Sequence, residues 1–596
     1  MFGKIKEFTG NLLFSVKVTY EAARQFFVIK ILLSFACSLL PFINLWIWKN
    51  IINMLIYIRD TSVANVLITN VALYMAVYLV SRMLTRASEY VDYQYNDRVS
   101  IYVENILLDK FSEVDLAFYD SSDYSDKLSH TWEIKMYMTM LATVFFYSLE
   151  TLVSFAAAFI LIARLNIVFA LVILVLSVPV FIIRVKTNDL NTAFSKDNAK
   201  INREISYFKE IFRNTNAMYD IKLYDLKDFF VGKYVASWTV LFKRRKELTL
   251  KLGALSLGGL ILTTFINQML LYIIVINKLV KRVFKIGDAT YFISLYAQYQ
   301  ESLTNLISMV GNIQQAYSQL VTIREFINSK PSIQKSGTLI PESFESLTFD
   351  HVYFTYPGKK GWVLEDCSFT INRGQTVGLV GENGSGKSTI AKLILRLYDV
   401  NEGRILLNGV DIREYAIDRY RALFSALFQD FVKYSFTMRE NIALSDYSQL
   451  GNDEKILDAA EKSEVSEFAR DWKNGIDTPL TRDFEDDGKE LSGGQWQRIA
   501  LARVFFADRS FILLDEPSAS LDVFAEEKIF NQFANLSLER TSVIISHRLS
   551  SIVSADKIIV LKGGAIIEEG SHKELLGSGG YYAGLFGLQA GRYYNN

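Results

Sequence analysis

Gly381-Glu382-Asn383-Gly384-Ser385-Gly386-Lys387-Ser388-Thr389 carries the spacing G-x-x-x-x-G-K-[ST]. The apolar run Thr376–Val380 before it reads as a short buried parallel strand, and Ile390–Leu395 after it has helical periodicity. Strand, glycine-rich turn and helix is the setting in which this pattern cradles phosphate. Glycines let backbone N–H groups converge on an anion, and the helix N-terminus adds a partial positive charge. In that setting Lys387 reaches the β- and γ-phosphates of a nucleotide, and the Ser388 hydroxyl ligates Mg²⁺.

Further residues along the chain have types suited to the same chemistry. Tyr356, in Phe354-Thr355-Tyr356-Pro357, can stack on a purine ring. Gln429, in Leu427-Phe428-Gln429-Asp430, follows a strand-like run and can bond Mg²⁺ or an attacking water. Phe511–Leu514 is an apolar strand ending in Asp515 and Glu516. At the carboxyl end of a strand beside the phosphate loop, Asp515 can hold Mg²⁺ through water, and Glu516 can polarise the water that attacks the γ-phosphate. His547 ends another apolar strand, Ser542–Ser546, where it can sense the γ-phosphate. Leu491-Ser492-Gly493-Gly494-Gln495 is a second serine-glycine turn leading into a helical pattern, again suited to anionic phosphate. Two donor sets for one nucleotide are explained if they come from opposite faces of a sandwich between two copies of the chain, and symmetric homodimers are the commonest oligomers.

The elements that position these residues divide the chain in two. From Leu347 onward, short β-branched strands alternate with helices, which is the pattern of an α/β layered domain. Residues 328–345 lose hydrophobicity and hold Pro331 and Pro341, marking a boundary between an N-terminal domain over 1–330 and a nucleotide domain over 345–596. The 596 residues are half hydrophobic, with mean hydropathy +0.17 and 21% charged residues. Lysine plus arginine and aspartate plus glutamate both number 64, so no basic excess points to nucleic acid. Cys37 and Cys367 fall in different halves and lack metal-ligand spacing, so both are read as packing residues.

Apolar stretches near 27–48, 63–81, 138–163, 167–184, 252–277 and 289–311 predict six membrane spans, several with the roughly 20 residues a span requires. Arg164-Leu165-Asn166 alone separates the third and fourth, a tight helical hairpin. Basic residues around 187–251, including Lys243-Arg244-Arg245-Lys246, place that segment and the nucleotide domain in the cytoplasm. Lys278, Lys281, Arg282 and Lys285 between spans five and six oppose this assignment. Segments 82–137 and 187–251 are expected to be long cytoplasmic helix extensions, closed by crosspieces at Asp115–Asp120 and Leu223–Phe230. Ser294, Gln298, Glu301, Asn305, Ser308 and Asn312 share one face of the sixth span, and Glu150 is a second carboxylate, in span three. Such a stripe lines either a water-filled pathway, with Glu301 near the cargo, or an interhelical hydrogen-bonding seam.

With these residues in view, the chain resembles an ATP-binding cassette exporter half-transporter over essentially its full length, the order Gln429, Leu491–Gln495, Asp515-Glu516 being specific. The resemblance implies an N-terminal six-helix, all-α transmembrane domain followed by an α/β nucleotide-binding domain. It implies ATP and Mg²⁺ as ligands, Tyr356 as the adenine-stacking aromatic, and Gln429 as the magnesium and coupling glutamine. It likewise makes Glu516 the general base, His547 the switch histidine, Asp522 a dimer contact, and the crosspieces coupling helices. Each ATP site of a homodimer would join one chain's phosphate loop to the other's Leu491–Gln495.

A closer resemblance, through Leu427–Tyr434, Arg439-Glu440-Asn441-Ile442 and Leu491–Gln497, is to exporters of lantibiotics and other modified bacterial peptides. It implies a multi-pass protein of the bacterial plasma membrane that exports a peptide by alternating access. A lipid or hydrophobic-drug exporter is the alternative, and an ATP-gated regulator or channel a third reading. Some relatives carry a leader-cleaving cysteine-protease domain. With the first span starting near residue 27 there is no room for one here, so leader removal and peptide modification fall to separate proteins. Two departures from the family pattern stand out: Ala519-Ser520-Leu521-Asp522 for Ser-Ala-Leu-Asp, and Glu485-Asp486-Asp487-Gly488 for Gly-Glu-x-Gly.

Overall fold

The structure is a computed structural model and describes residues 13–55, 61–120, 134–329, 333, 336–517 and 540–594. The chain forms two compact units, one of residues 1–112 with 127–329, the other of 113–126 with 330–596.

The first unit is helical. Its long helices are Arg24–Leu55, Thr61–Glu113, Ile134–Leu165, Ile167–Asp197, Lys227–Val280 and Ile286–Ile327. Among the described residues, Arg24–Leu55, Ala64–Glu113, Thr143–Leu165, Ile167–Asp197 and Thr263–Val280 are long and apolar enough to cross a bilayer. Ile286–Ile327 is not among them, because Ser294, Gln298, Glu301 and Asn305 dilute its apolar character on one face. Its other face is oily: Phe292, Leu295 and Tyr299 are buried in a cluster with Phe42, Ile162, Phe169 and Leu271 from neighbouring helices.

One end of the bundle explains the basic turn that opposed the charge rule. Lys278 Nζ donates to the Leu165 carbonyl at 2.8 Å and lies 4.7 Å from the Phe284 ring centroid. It thereby satisfies a carbonyl that a helix C-terminus leaves open. At the neighbouring turn Lys49 pairs with Asp288 at 2.8 Å, and the Gly287 N–H donates to Asn53 Oδ1 at 2.8 Å. The three turns predicted to be external are thus joined to one another by local bonds, which accounts for Lys278 and Lys49 without reference to membrane orientation.

Around the second crosspiece, expected at Leu223–Phe230, the chain breaks at Asn198, continues as Ala199–Ile211 and the short helix Thr215–Leu223, and turns at 224–226 within the expected segment. Asn214 Oδ1 caps that helix by accepting from the N–H groups of Asn216 and Ala217. Asp225, at φ +50°, turns the chain, and Lys227–Phe230 already belong to the next long helix. An asparagine N-cap and a left-handed aspartate set these boundaries.

The second unit has two sheets. One runs β2(Leu364–Asn372)-β1(Ser346–Phe354)-β4(Glu402–Leu407)-β5(Val410–Asp411) and is antiparallel. The other runs β10(Ala565–Gly570)-β9(Lys557–Lys562)-β3(Thr376–Gly381)-β8(Thr541–Ile545)-β7(Phe511–Asp515)-β6(Phe424–Leu427), parallel except at β10. Strands β7 and β8 are buried along their whole length, as strands covered on both faces of a parallel sheet must be. Two apolar clusters result. One packs the helix Lys387–Ile394 between the sheets, and the other packs the helix Gly493–Ala507 with Met438–Ala443 and Asp453–Lys462. The first crosspiece, Leu116–Tyr119, is seated on this unit: Asp115 accepts from the Ile333 N–H at 2.8 Å, Asp120 accepts from the Tyr398 hydroxyl, and Ala117 packs on the first cluster.

Lys278→Met should cost the helical bundle about 1 kcal/mol, the net worth of a hydrogen bond, seen as a lower thermal midpoint in detergent. Lys278→Arg, which keeps a donor, should match wild type. Equal midpoints for wild type and Lys278→Met would show that the cap contributes nothing.

Candidate functional site

The parallel register sets the site. Leu427 pairs with Leu514, Asp515 with Ile545, and Leu379 with Ile545. Two residues past the pairing on β6 stands Gln429, two past Leu514 stands Glu516, two past Ile545 stands His547, and two past Leu379 stands Gly381. Four neighbouring strands therefore deliver the four groups to one edge, Gln429 level with Glu516 and His547 level with Gly381 one residue further on, the edge where ligands bind in open α/β sheets.

At the end of β3 the chain turns through Gly381 (φ +157°), Gly384 (φ +80°) and Gly386 (φ +106°). A Cβ at Gly381 would stand 2.3 Å from the Leu561 carbonyl oxygen, so this position admits only glycine. The next helix, Lys387–Ile394, begins at the loop, directing its unpaired N–H groups there. Lys387 Nζ donates to the carbonyls of Gly381 at 2.8 Å and Glu382 at 2.9 Å, and burial draws its pKa down against the opposing pull of Glu516 and Asp515. Ser385 Oγ is buried without a hydrogen-bond partner. A buried ammonium held only by carbonyls, an orphan hydroxyl and a helix N-terminus form a cradle that suits a polyphosphate.

Asp515 and Glu516 do different things although adjacent. Asp515 is buried, which pushes its pKa up, while a hydrogen bond from Ser388 and the charge of Lys387 oppose that rise. Ser388 and Asp515 together are an oxygen pair suited to Mg²⁺, whose remaining positions phosphate and water would fill. Among the described residues no group of three or more His, Cys, Asp and Glu side chains forms a metal cage. Glu516 turns the chain at φ +52°, and its carboxylate meets His547 Nε2 at 2.9 Å through Oε1 and Gln429 Nε2 at 3.0 Å through Oε2. A carboxylate held by both oxygens, and only partly exposed, is oriented as a general base must be.

Gln497, read in the sequence only as part of Leu491–Gln497, takes a structural role not assigned there. Fully enclosed in the helix Gly493–Ala507, it donates from Nε2 to the carbonyls of Pro517 at 2.7 Å and Glu516 at 3.3 Å. An amide on the buried face of an otherwise apolar helix was the signal available. Tyr356 hydrogen-bonds Thr389 Oγ1 at 3.1 Å through its hydroxyl and meets Phe354 and Tyr398 edge-on at 5.0 and 5.3 Å. Lys392 Nζ lies 5.2 Å from its ring centroid, so a purine stacking there would exchange a cation–π contact for a base. Leu491–Gln495 belongs to the second apolar layer, where Ser492 and Gln495 close a reciprocal capping box on their helix. Asp522 lies outside the described residues.

Two cavities are found among the described residues of the helical unit. One, of about 280 Å³, is lined by Lys30, Asp92, Glu150, Ser88, Tyr147 and others. The second, of about 430 Å³, is lined by Arg82, Tyr78, Asn44, Gln298, Glu301 and others, and both share Pro41, Ser81 and Thr85. Glu150, Gln298 and Glu301 thus line cavities, Asn305 lines neither, and the side chain of Asn312 lies outside the described residues. Lys30 is enclosed, pairing with Asp92 at 2.5 Å and donating to Ser88 Oγ at 2.6 Å. Lys30, Asp92 and Arg82 were not singled out from sequence, although a lone cation inside the apolar run 27–48 is itself a pointer to such a site.

Residues 364–519 match the family model described as ABC transporter. The chain is 29% identical over 564 residues to the subtilin transport ATP-binding protein SpaT of Bacillus subtilis, covering 94% of this chain and 91% of that one. It is 26% identical to the nisin transport ATP-binding protein NisT of Lactococcus lactis subsp. lactis, covering 98% of each. An ATP-dependent lipid A-core flippase of Haemophilus ducreyi is 36% identical over 319 residues, 54% of each chain. Among solved structures, a bacterial Atm1-family ABC exporter with ATP bound superposes with a TM-score of 0.74 at 22% identity, covering 95% of this chain and 98% of that one.

Ser388→Ala should raise the Mg²⁺ concentration needed for half-maximal nucleotide binding about tenfold, as expected on losing a metal-shell ligand, with the fold retained by circular dichroism. An unchanged Mg²⁺ dependence would remove Ser388 from the metal site.

Proposed function

We propose that this chain, which carries an ABC transporter domain in the fold of an ABC exporter, hydrolyses ATP to export a peptide of the lantibiotic or bacteriocin kind across a bacterial plasma membrane. The observation that carries the ATPase reading is the contact of Gln429 and of His547 with Glu516, next to Asp515, whose carboxyl meets Ser388 and Lys387. Lys387 and the Gly381–Ser388 backbone bind and orient the phosphates. Mg²⁺ would be held by Ser388, with Gln429, and by Asp515 through water, and when bound it neutralises charge on the transferring phosphoryl group. Glu516 takes the proton of the attacking water, and His547 and Gln429 hold its carboxylate in line.

Within one chain Leu491–Gln495 stands on a different apolar layer from the phosphate loop. This supports a homodimer in which each nucleotide is closed over by the partner's serine-glycine turn, with Asp522 at the dimer contact. Closure would act through the crosspieces, of which Leu116–Tyr119 is bonded to the nucleotide-binding unit through Asp115 and Asp120, and alternating access would follow.

Peptide cargo is supported by full-length similarity to the subtilin and nisin transport proteins and by cavity walls bearing both signs of charge together with Gln298, Ser88 and tyrosines. Such walls suit a polar or amphiphilic chain. A lipid cargo is the second reading, favoured by the higher identity to the lipid A-core flippase over half the chain.

Glu516→Gln should bind ATP but lose at least about a hundredfold in turnover, the range for a general base, and accumulate as a closed dimer. Near-normal hydrolysis would remove Glu516 as the base. Glu301→Gln and Glu150→Gln should change stimulation of the ATPase by a lantibiotic precursor and its export from vesicles. If neither variant alters either measure, the cavities do not receive the peptide, and stimulation by lipid A alone would favour the second reading.

A further inference from the structure

The helix Tyr581–Tyr594 follows the last strand and takes no part in the chemistry above. It is firmly seated. Glu568 accepts from the backbone N–H groups of Tyr581 at 2.5 Å and Tyr582 at 2.9 Å, the Tyr582 ring is buried, and its hydroxyl meets His572 Nδ1 at 2.7 Å. The Tyr581 hydroxyl donates to Glu382 Oε1 at 2.5 Å, within the phosphate loop. Eight residues on, roughly 12 Å along a helix axis, comes Gln589. Its Nε2 donates to the His547 carbonyl at 2.7 Å, and its Oε1 accepts from the Leu549 N–H at 3.0 Å.

The two backbone groups fix which way the amide faces, since a carbonyl needs a donor and an N–H an acceptor. They lie just beyond β8, where the chain has left the sheet and its ladder no longer holds it. His547 is the residue whose Nε2 reaches Glu516 at 2.9 Å. From this geometry we infer that Gln589 is a positioning residue for ATP hydrolysis: by clasping the backbone on both sides of Arg548 it holds the His547 imidazole on Glu516. The helix that carries it is tied at its other end to the phosphate loop. The inference rests on the hydrolytic reading of Glu516 and His547 proposed above.

The test uses the full-length protein in liposomes, with ATP turnover and ATP affinity measured separately. Gln589→Leu removes donor and acceptor at similar volume. It should lower kcat about tenfold, a partial loss of the acid–base contribution, with ATP affinity within about twofold, since the residue touches no part of the cradle. Gln589→Glu keeps the acceptor but sets a carboxylate oxygen against the His547 carbonyl, and should show the same loss if the leucine variant fails to fold. Combined with His547→Ala, either variant should be no slower than His547→Ala alone, because a positioning residue has nothing left to position. A wild-type rate in both variants, a loss of ATP affinity in place of kcat, or losses that multiply with His547→Ala would overturn the inference. A wild-type protein that does not hydrolyse ATP would overturn the parent reading, and this inference with it.

Discussion

The Glu516 carboxylate, held between His547 and Gln429, is the contact on which the rest of the nucleotide half depends. Its three members come from three strands, and nothing local brings them together. They meet because β6, β7 and β8 are parallel, paired in a fixed register and buried, so that Gln429 ends level with Glu516 and His547 one residue further on. A slip of one residue in any strand would turn its side chains to the opposite face. The strands cannot slip cheaply, because consecutive residues alternate between two separate apolar layers, Ile512, Leu514 and Ile544 in one and Leu513, Val543 and Ile545 in the other.

Burial and charge are arranged with similar economy around that contact. Asp515 lies inside and shares Ser388 and Lys387, while Glu516 is rotated outward by a left-handed backbone that a glutamate adopts reluctantly. Gln497 holds the carbonyls at that turn from the helix behind. Gln497 shares its helix with Gly493–Gln495, so a single helix connects the serine-glycine turn to the backbone at Glu516 and Pro517.

The helical half follows another rule. Without water, a charge survives only with a partner or in a wet cavity. Lys30 has Asp92 and Ser88, whereas Glu150 and Glu301 face open volume. Lys278, which opposed the expected orientation, proves to be a helix cap, so its charge is spent on the Leu165 carbonyl. Counting cations along a loop cannot distinguish a cap from a topology signal.

The sequence alone was sufficient for the parts whose physics is local. The glycine loop from Gly381 to Lys387 depends on positive φ angles and a helix start, both legible in residue types. The strand–carboxylate pattern at Asp515-Glu516 and the six long helices were legible because hydrophobic periodicity and length report burial directly. Tertiary structure alone decided which distant residues share a site. Gln429 and His547 were weak singly and acquire meaning from strand register. Lys30, Asp92 and Arg82 join Glu150 and Glu301 through helix packing, Gln497 reaches the back of the Glu516 turn from the helix of the serine-glycine turn, and Gln589 reaches the site from a helix that carries no motif of its own. Such partnerships depend on which backbones pack together, and residue spacing along one strand or helix carries no record of that.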